Sequence, residues 1–143
     1  MTWRRRSRTI SETPERQLAK ILYVDDDLAV AALKKEILEQ AGYLVTVCSS
    51  AEDAIQELER SRYDAVITDW RLGQSRGRAI VQAARSVSTM PVFVVSGYVG
   101  EAFQSAEPPA DIYLEKPVDS RELVQILKTL LEVKAEGKSQ ARP

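Results

Sequence analysis

The chain has 143 residues, a length typical of a single domain with a substantial hydrophobic core. Its formal net charge of −1 gives no reason to expect nucleic acid or an anionic membrane as a partner. It has no histidine and one cysteine, Cys48, which excludes Ser–His and Cys–His catalytic pairs and an internal disulfide. No apolar run approaches the roughly 20 residues that a membrane helix needs, and no signal-peptide pattern opens the chain, so we expect a cytoplasmic protein.

The two ends of the chain are polar. Residues 1–19 have the composition of a disordered tail, with a basic cluster at Arg4, Arg5, Arg6 and Arg8. The alternative for this cluster is an arm that contacts acidic partners or nucleic acid. We predict an ordered domain over residues 20–134 and a second polar tail over residues 135–143.

Within the ordered part, short apolar runs alternate with helical patterns. The runs predict strands at residues 21–24, 43–48, 64–68, 92–95 and 112–114. Helical spacing follows each of the first three and the last, and a shorter helix is predicted at residues 99–106, before two prolines. Helix starts are indicated at Asp27, Ser50, Gly77 and Asp119. This alternation, repeated five times, predicts a doubly wound α/β fold with a five-stranded parallel sheet.

The central stretch is the third predicted strand, Asp64-Ala-Val-Ile-Thr-Asp69. Its run of apolar and β-branched residues is typical of a parallel strand that is buried on both faces. The run stops at Asp69 and opens into a glycine-containing loop. In open α/β sheets, ligands bind at the carboxyl edge, where such a residue lies. We therefore predict that Asp69 is the reacting group.

Other strand ends carry polar groups that can join Asp69. The first strand ends in three consecutive aspartates beginning at Asp25, the fourth ends at Ser96, and the fifth leads to Lys116. Parallel strands lie about 4.8 Å apart, so these side chains can converge at one edge. Clustered carboxylates suit Mg²⁺. A divalent cation, a lysine and a hydroxyl beside an acid form an arrangement suited to phosphoryl transfer.

These residues carry a family resemblance. The segments Ile-Leu-Tyr-Val-Asp25-Asp26, Asp64-Ala-Val-Ile-Thr-Asp69, Val-Phe-Val-Val-Ser96-Gly and Lys116-Pro resemble the receiver domains of two-component response regulators. The resemblance spans about residues 20–134. It implies a (βα)5 fold with the flavodoxin-like strand order 2-1-3-4-5.

The resemblance also implies a metal site. Asp69 would be the phosphoacceptor, and Asp26 and Asp69 would bind Mg²⁺ directly. The backbone carbonyl of Arg71 would supply a third ligand, and Asp25 would contribute through water. The loop after Asp69 departs from the family pattern, with Gly73 where proline is common and an arginine before Gly77 where an acid is common.

Further roles follow from the same resemblance. Lys116 would pair with the phosphoryl group, and the hydroxyl of Ser96 would move toward it. Tyr113 stands at the position of an aromatic switch residue that turns inward on activation. The fourth helix, the fifth strand and the last helix would form the signalling face, which is also a possible homodimer surface.

The implied function is that of a phosphoacceptor rather than an enzyme, with only intrinsic self-phosphorylation and dephosphorylation. The phosphodonor would be a sensor histidine kinase or a histidine phosphotransfer protein. We expect a stand-alone domain, because few residues follow the last predicted helix. It would act through an unidentified downstream protein, or serve as a phosphate sink with no target, without binding DNA or a membrane directly.

Two alternatives remain. One is a binding module with the receiver fold that does not need phosphorylation. The other is a phosphohydrolase similar to haloacid dehalogenases, whose Asp-x-Asp signature is matched at Asp25 and Asp27. There Asp25 would be the nucleophile and Asp27 the general acid and base. Substitution of Asp69 distinguishes the three, since only a receiver would lose its phosphorylation.

Overall fold

Five parallel strands form the sheet that the alternating pattern predicts. A computed structural model gives the positions of residues 18–72, 75–97, 100, 102 and 109–141. The strands are β1 (Lys20–Val24), β2 (Leu44–Cys48), β3 (Ala65–Asp69), β6 (Val92–Ser96) and β7 (Ile112–Glu115). Their order in the sheet is β2-β1-β3-β6-β7, and every pairing is parallel. Since β6 and β7 are the fourth and fifth strands of this sheet along the chain, the prediction of the order 2-1-3-4-5 is confirmed.

A small antiparallel ribbon stands apart from the main sheet. It consists of β4 (Arg71–Leu72) and β5 (Ser75–Arg76), with Arg71 opposite Arg76 and Leu72 opposite Ser75. The sequence predicted only a loop here, because strands of two residues are too short to show a periodic pattern. The ribbon directly follows the strand that ends at Asp69.

The helices whose bounds the structure describes are α1 (Leu28–Gln40), α2 (Ala51–Arg60), α3 (Arg78–Val87) and α4 (Ser120–Ala141), which connect the strands or follow them. The predicted caps are present at three of them. Side-chain oxygens accept backbone N–H groups at Asp27, Ser50 and Asp119. Gly42, just beyond α1, has a φ of 103°, a conformation in which glycine is favoured over other residues.

The predictions for the C-terminal segment and for residues 99–106 have different outcomes. The last helix continues to Ala141, beyond residue 134 where a polar tail was expected. Lysine, alanine and glutamate are good helix formers, so a polar composition there does not end the helix. The predicted helix at 99–106 lies almost entirely outside the described residues, as do residues 1–17 with the basic cluster.

The helices cover both faces of the sheet. One core cluster packs β-strand residues such as Leu22 and Val66 against α2 and α3, and includes Trp70 and Leu72. The other packs the alternate strand residues, such as Tyr23 and Phe93, against α1 and α4. Because side chains alternate along a strand, the central strands are buried on both sides. Among the described residues, no helix is long and apolar enough to cross a membrane.

Candidate functional site

Asp69 lies at the carboxyl end of the central strand. This strand, β3, is paired with β1 on one side and with β6 on the other. The backbone N–H of the next residue, Trp70, donates to the carbonyl of Val95 at 2.9 Å. The Asp69 residue is only 6% exposed. The predicted reacting group is therefore a carboxylate that the sheet buries and fixes.

Three carboxylates meet at this edge. One oxygen from each of Asp25, Asp26 and Asp69 lies within 4.8 Å of the others. Asp25 is buried, and its Oδ1 accepts the backbone N–H of Asp27 at 2.9 Å, which fixes its orientation. Asp26 is exposed and faces solvent beside them. Oxygen ligands of this kind, with one side open to water, fit Mg²⁺, which keeps several waters when bound.

Lys116 joins the cluster from β7. Its Nζ lies 2.6 Å from Oδ1 of Asp69. Its backbone N–H donates to the carbonyl of Ser96 at 2.9 Å, so the ends of β6 and β7 are linked. The Lys116–Pro117 peptide bond is cis. The sheet thus brings together the lysine, the hydroxyl-bearing strand end and the acids that the sequence singled out.

The environment changes the acidity of the paired groups. Burial raises the pKa of Asp69 to about 6; Lys116 works against this rise, and the charge of Asp25 adds to it. Burial works to lower the pKa of Lys116, but the hydrogen bond and charge of Asp69 outweigh it, so that pKa lies above its ordinary value. Near neutral pH the site therefore holds a carboxylate and an ammonium in contact, beside further negative charge.

Ser96 and Tyr113 lie where the resemblance places them. Ser96 ends β6 and is 4% exposed. Tyr113 is half-buried on β7, its ring packs against the core cluster of α2 and α3, and its hydroxyl accepts the N–H of Ala110 at 3.0 Å. The switch role of both residues stays a prediction.

Asp27 has a structural role that bears on the hydrolase alternative. Its Oδ1 accepts the N–H groups of Ala29 and Val30 at the start of α1. A carboxylate engaged as a helix cap is poorly suited to serve as the general acid and base that this alternative requires. The structure therefore assigns Asp27 a structural role at the start of α1.

Two contacts near the site were not predicted. The Nζ of Lys34 on α1 donates to the carbonyl of Val118 at 3.2 Å and to Oγ of Ser120 at 2.8 Å, just beyond Lys116. Gly77, at the start of α3, packs against the backbone of Asp69. A glycine eight positions after the acid was a visible signal for the second contact; the sequence holds none for the first.

The comparisons with known proteins agree with this geometry. The family model described as response regulator receiver domain matches residues 21–128. The chain belongs to the response regulator receiver family. It is the receiver domain of a two-component response regulator, as the ordered set of strand ends predicted.

Named relatives show how far the similarity extends. The transcriptional regulatory protein CpxR of Escherichia coli K12 is 34% identical over 114 residues, which cover 78% of this chain and 49% of that protein. The probable transcriptional regulator ycf27 of Guillardia theta is 28% identical over 114 residues, 78% of this chain and 45% of that protein. This receiver domain therefore spans about half the length of the curated relatives it matches.

Solved structures are similar over nearly their whole length. A CheY-like receiver domain from Methanospirillum hungatei has a TM-score of 0.78 and 29% identity, and covers 85% of this chain and 99% of its own. The receiver domain of sensor histidine kinase PA1611 from Pseudomonas aeruginosa has a TM-score of 0.72 and 25% identity, with 80% and 98% covered. That structure has a magnesium ion coordinated in its active-site cleft.

Proposed function

We propose that this receiver domain accepts a phosphoryl group on Asp69 from the phosphohistidine of a sensor kinase or a histidine phosphotransfer protein, with Mg²⁺ as cofactor. One observation carries the proposal. A buried carboxylate at a strand end contacts a lysine at 2.6 Å while two further carboxylates lie within 4.8 Å. We propose the chain as a phosphoacceptor rather than an enzyme acting on other molecules.

The chemistry assigns a step to each side chain. An oxygen of Asp69 attacks phosphorus, an O–P bond forms, and the N–P bond to the donor histidine breaks. Lys116 stays close to the transferred oxygens and compensates their charge, and the hydroxyl of Ser96 donates to one of them. Asp25, Asp26, Asp69 and the Arg71 carbonyl would hold Mg²⁺, which neutralises phosphoryl charge when it is bound. Water later attacks the phosphorus atom, the bond between phosphorus and the Asp69 oxygen breaks, and inorganic phosphate leaves while the carboxylate is restored.

The surface beside the site supports a protein as donor. The first turns of α1 expose Leu28 and Leu33, which are 62% and 56% exposed, next to the acidic edge. Exposed apolar side chains at a functional edge are typical of a protein interaction surface. The donor histidine lies outside these 143 residues, because they contain no histidine.

The output would be a protein contact rather than DNA binding by this domain. CpxR and ycf27 are named as transcriptional regulators and are about twice as long as the matched region, so their names do not assign DNA binding to it. We propose that phosphorylation shifts Ser96 and Tyr113 between two packings, which changes the face that includes β7 and α4 and could also serve as a homodimer surface. Identical amide spectra around residues 109–116 with and without beryllofluoride would contradict this switch.

Intact mass spectrometry tests the proposal directly. We expect wild-type protein to gain one phosphoryl group when it is incubated with Mg²⁺ and a small phosphodonor such as acetyl phosphate. The adduct should be absent when Mg²⁺ is chelated and absent from Asp69→Asn. If neither the small donor nor a histidine kinase labels the wild type, a binding module that does not need phosphorylation replaces this proposal. An adduct retained by Asp69→Asn would point to Asp25 instead.

A further inference from the structure

Gly77 makes an unusually close approach to the phosphoacceptor. A Cβ atom built at this position would lie 2.6 Å from the backbone oxygen of Asp69 and 3.3 Å from the Cα of Trp70. The Gly77 N–H also donates to the carbonyl of Trp70 at 2.6 Å. The start of α3 therefore rests directly on the backbone of the reacting residue, in a space that any side chain would fill.

The backbone carbonyl of Asp69 is held in place by a hydrogen bond and by the pairing of its strand. The hydroxyl of Thr68, a fully buried residue, donates to it at 2.8 Å. The strand that carries it is paired on both sides, and the Trp70 N–H is bound to Val95. The central strand is thus the fixed partner in this contact.

The opposite partner is the segment that leads from Asp69 to α3. Between Asp69 and Gly77 the chain forms the short ribbon of β4 and β5, in which Arg71 pairs with Arg76 and Leu72 with Ser75. Its buried anchor is Leu72, which packs in the core cluster with α3. A side chain at position 77 would therefore displace the ribbon and the start of α3, and leave β3 in place.

We infer that Gly77 is a positioning residue for the phosphoryl-transfer site. Because Gly77 has no side chain, the start of α3 can pack against the Asp69 carbonyl. This packing fixes the position of the ribbon, and with it the backbone carbonyl of Arg71 relative to the Asp69 carboxylate. This inference rests on the proposed function, in which that carbonyl is the third metal ligand. Ligand orientation by surrounding groups commonly sets metal affinity by about 10–100-fold.

A pair of glycine substitutions tests the inference. Gly77→Ala introduces the clash, and Gly100→Ala is the matched control, because a Cβ at position 100 would meet no atom of the described residues within 4 Å. Affinity for Mg²⁺ alone is read from the fluorescence of buried Trp70 in a Trp3→Phe background, since the chain has two tryptophans. The rate of phosphorylation by acetyl phosphate is followed by intact mass.

We expect Gly77→Ala to bind Mg²⁺ at least about tenfold more weakly and to be phosphorylated more slowly, with Gly100→Ala within about twofold of wild type. A Gly77→Ala protein that melts at a lower temperature but keeps wild-type Mg²⁺ affinity and phosphorylation rate would overturn the inference. A wild type that neither binds Mg²⁺ nor accepts phosphate would instead refute the proposed function, and the inference with it.

A second variant covers the case in which Gly77→Ala does not fold. Leu72→Ala removes the buried anchor of the ribbon and leaves Gly77 unchanged. We expect this variant to lose Mg²⁺ affinity by a similar factor, because the Arg71 carbonyl is no longer held. Wild-type Mg²⁺ affinity in folded Leu72→Ala would show that ribbon seating does not set the site.

Discussion

The two edges of the sheet use their acidic residues differently. At the amino edge each acid is matched to a donor: Asp64 accepts the N–H of Lys20 at 2.8 Å, and Asp111 accepts from Arg85 at 2.6 Å and from the N–H of Val92 at 2.7 Å. At the carboxyl edge three carboxylates are gathered within 4.8 Å. The first arrangement stabilises the fold. The second concentrates negative charge, which costs stability and prepares the edge for a cation.

Lysine-to-methionine substitutions at the two edges should change the phosphorylation rate to very different extents. Lys116→Met removes the cation that contacts Asp69, so we expect phosphorylation by acetyl phosphate to slow by about 10²–10³-fold, as is common when one charge-stabilising donor is lost. Lys20→Met, at the amino edge, removes an ammonium that lies 5.0 Å above the Tyr63 ring and should leave the rate within about twofold. The rates are measured by intact mass; a wild-type rate in Lys116→Met would contradict the assigned role.

The free-energy cost of burying the Asp69 carboxylate at the carboxyl edge should make the stability of the protein depend on pH. The pKa of Asp69 is raised from 3.8 to about 6, so between these values the folded protein holds a proton that the unfolded chain has released. Stability of the metal-free protein should therefore fall as pH rises through this window. Asp69→Asn lacks this titration and should become the more stable protein by about 1–3 kcal/mol near pH 7.

Denaturant unfolding in EDTA from pH 4 to 7 checks this prediction. The free-energy difference between Asp69→Asn and wild type should grow with pH and level off above pH 6. A difference that does not change with pH would show that the buried carboxylate does not cost stability in the folded state.

The amino edge should show a smaller effect, confined to stability. Asp111→Ala leaves the Val92 N–H and the Arg85 guanidinium without this acceptor, so we expect a loss of about 1–2 kcal/mol in the free energy of unfolding. The exposed Glu59, at the end of α2, serves as control, and Glu59→Ala should stay within about 0.5 kcal/mol. Both variants should keep wild-type Mg²⁺ affinity; a loss of affinity in Asp111→Ala would mean that the two edges are coupled.

The difference between the edges also explains what the sequence revealed. Asp69 and Lys116 were predictable because parallel strands place their carboxyl ends together, so polar residues that end apolar runs must meet. The helix caps at Asp27, Ser50 and Asp119 followed from short local patterns, and the strand order followed from the family resemblance.

Contacts between separate elements were poorly predicted: a glycine eight positions after Asp69 was the one signal for the contact at Gly77, and the sequence held none for the contact of Lys34. The clash that excludes a side chain at Gly77 depends on where α3 crosses the end of β3, and the bond from Lys34 to Val118 joins positions 84 residues apart. Neither leaves a periodic pattern in the sequence. The ribbon of β4 and β5 was missed for a related reason, since two-residue strands are set by the elements that flank them.

Locating the phosphoryl group is the most direct test of the central claim that Asp69 is the reacting group. Borohydride reduces an acyl phosphate on aspartate to homoserine, which marks the modified residue permanently. After phosphorylation with acetyl phosphate and Mg²⁺, peptide mass spectrometry should find homoserine at position 69 and aspartate at positions 25, 26 and 27. Homoserine at position 25, with Asp69 unmodified, would contradict the account.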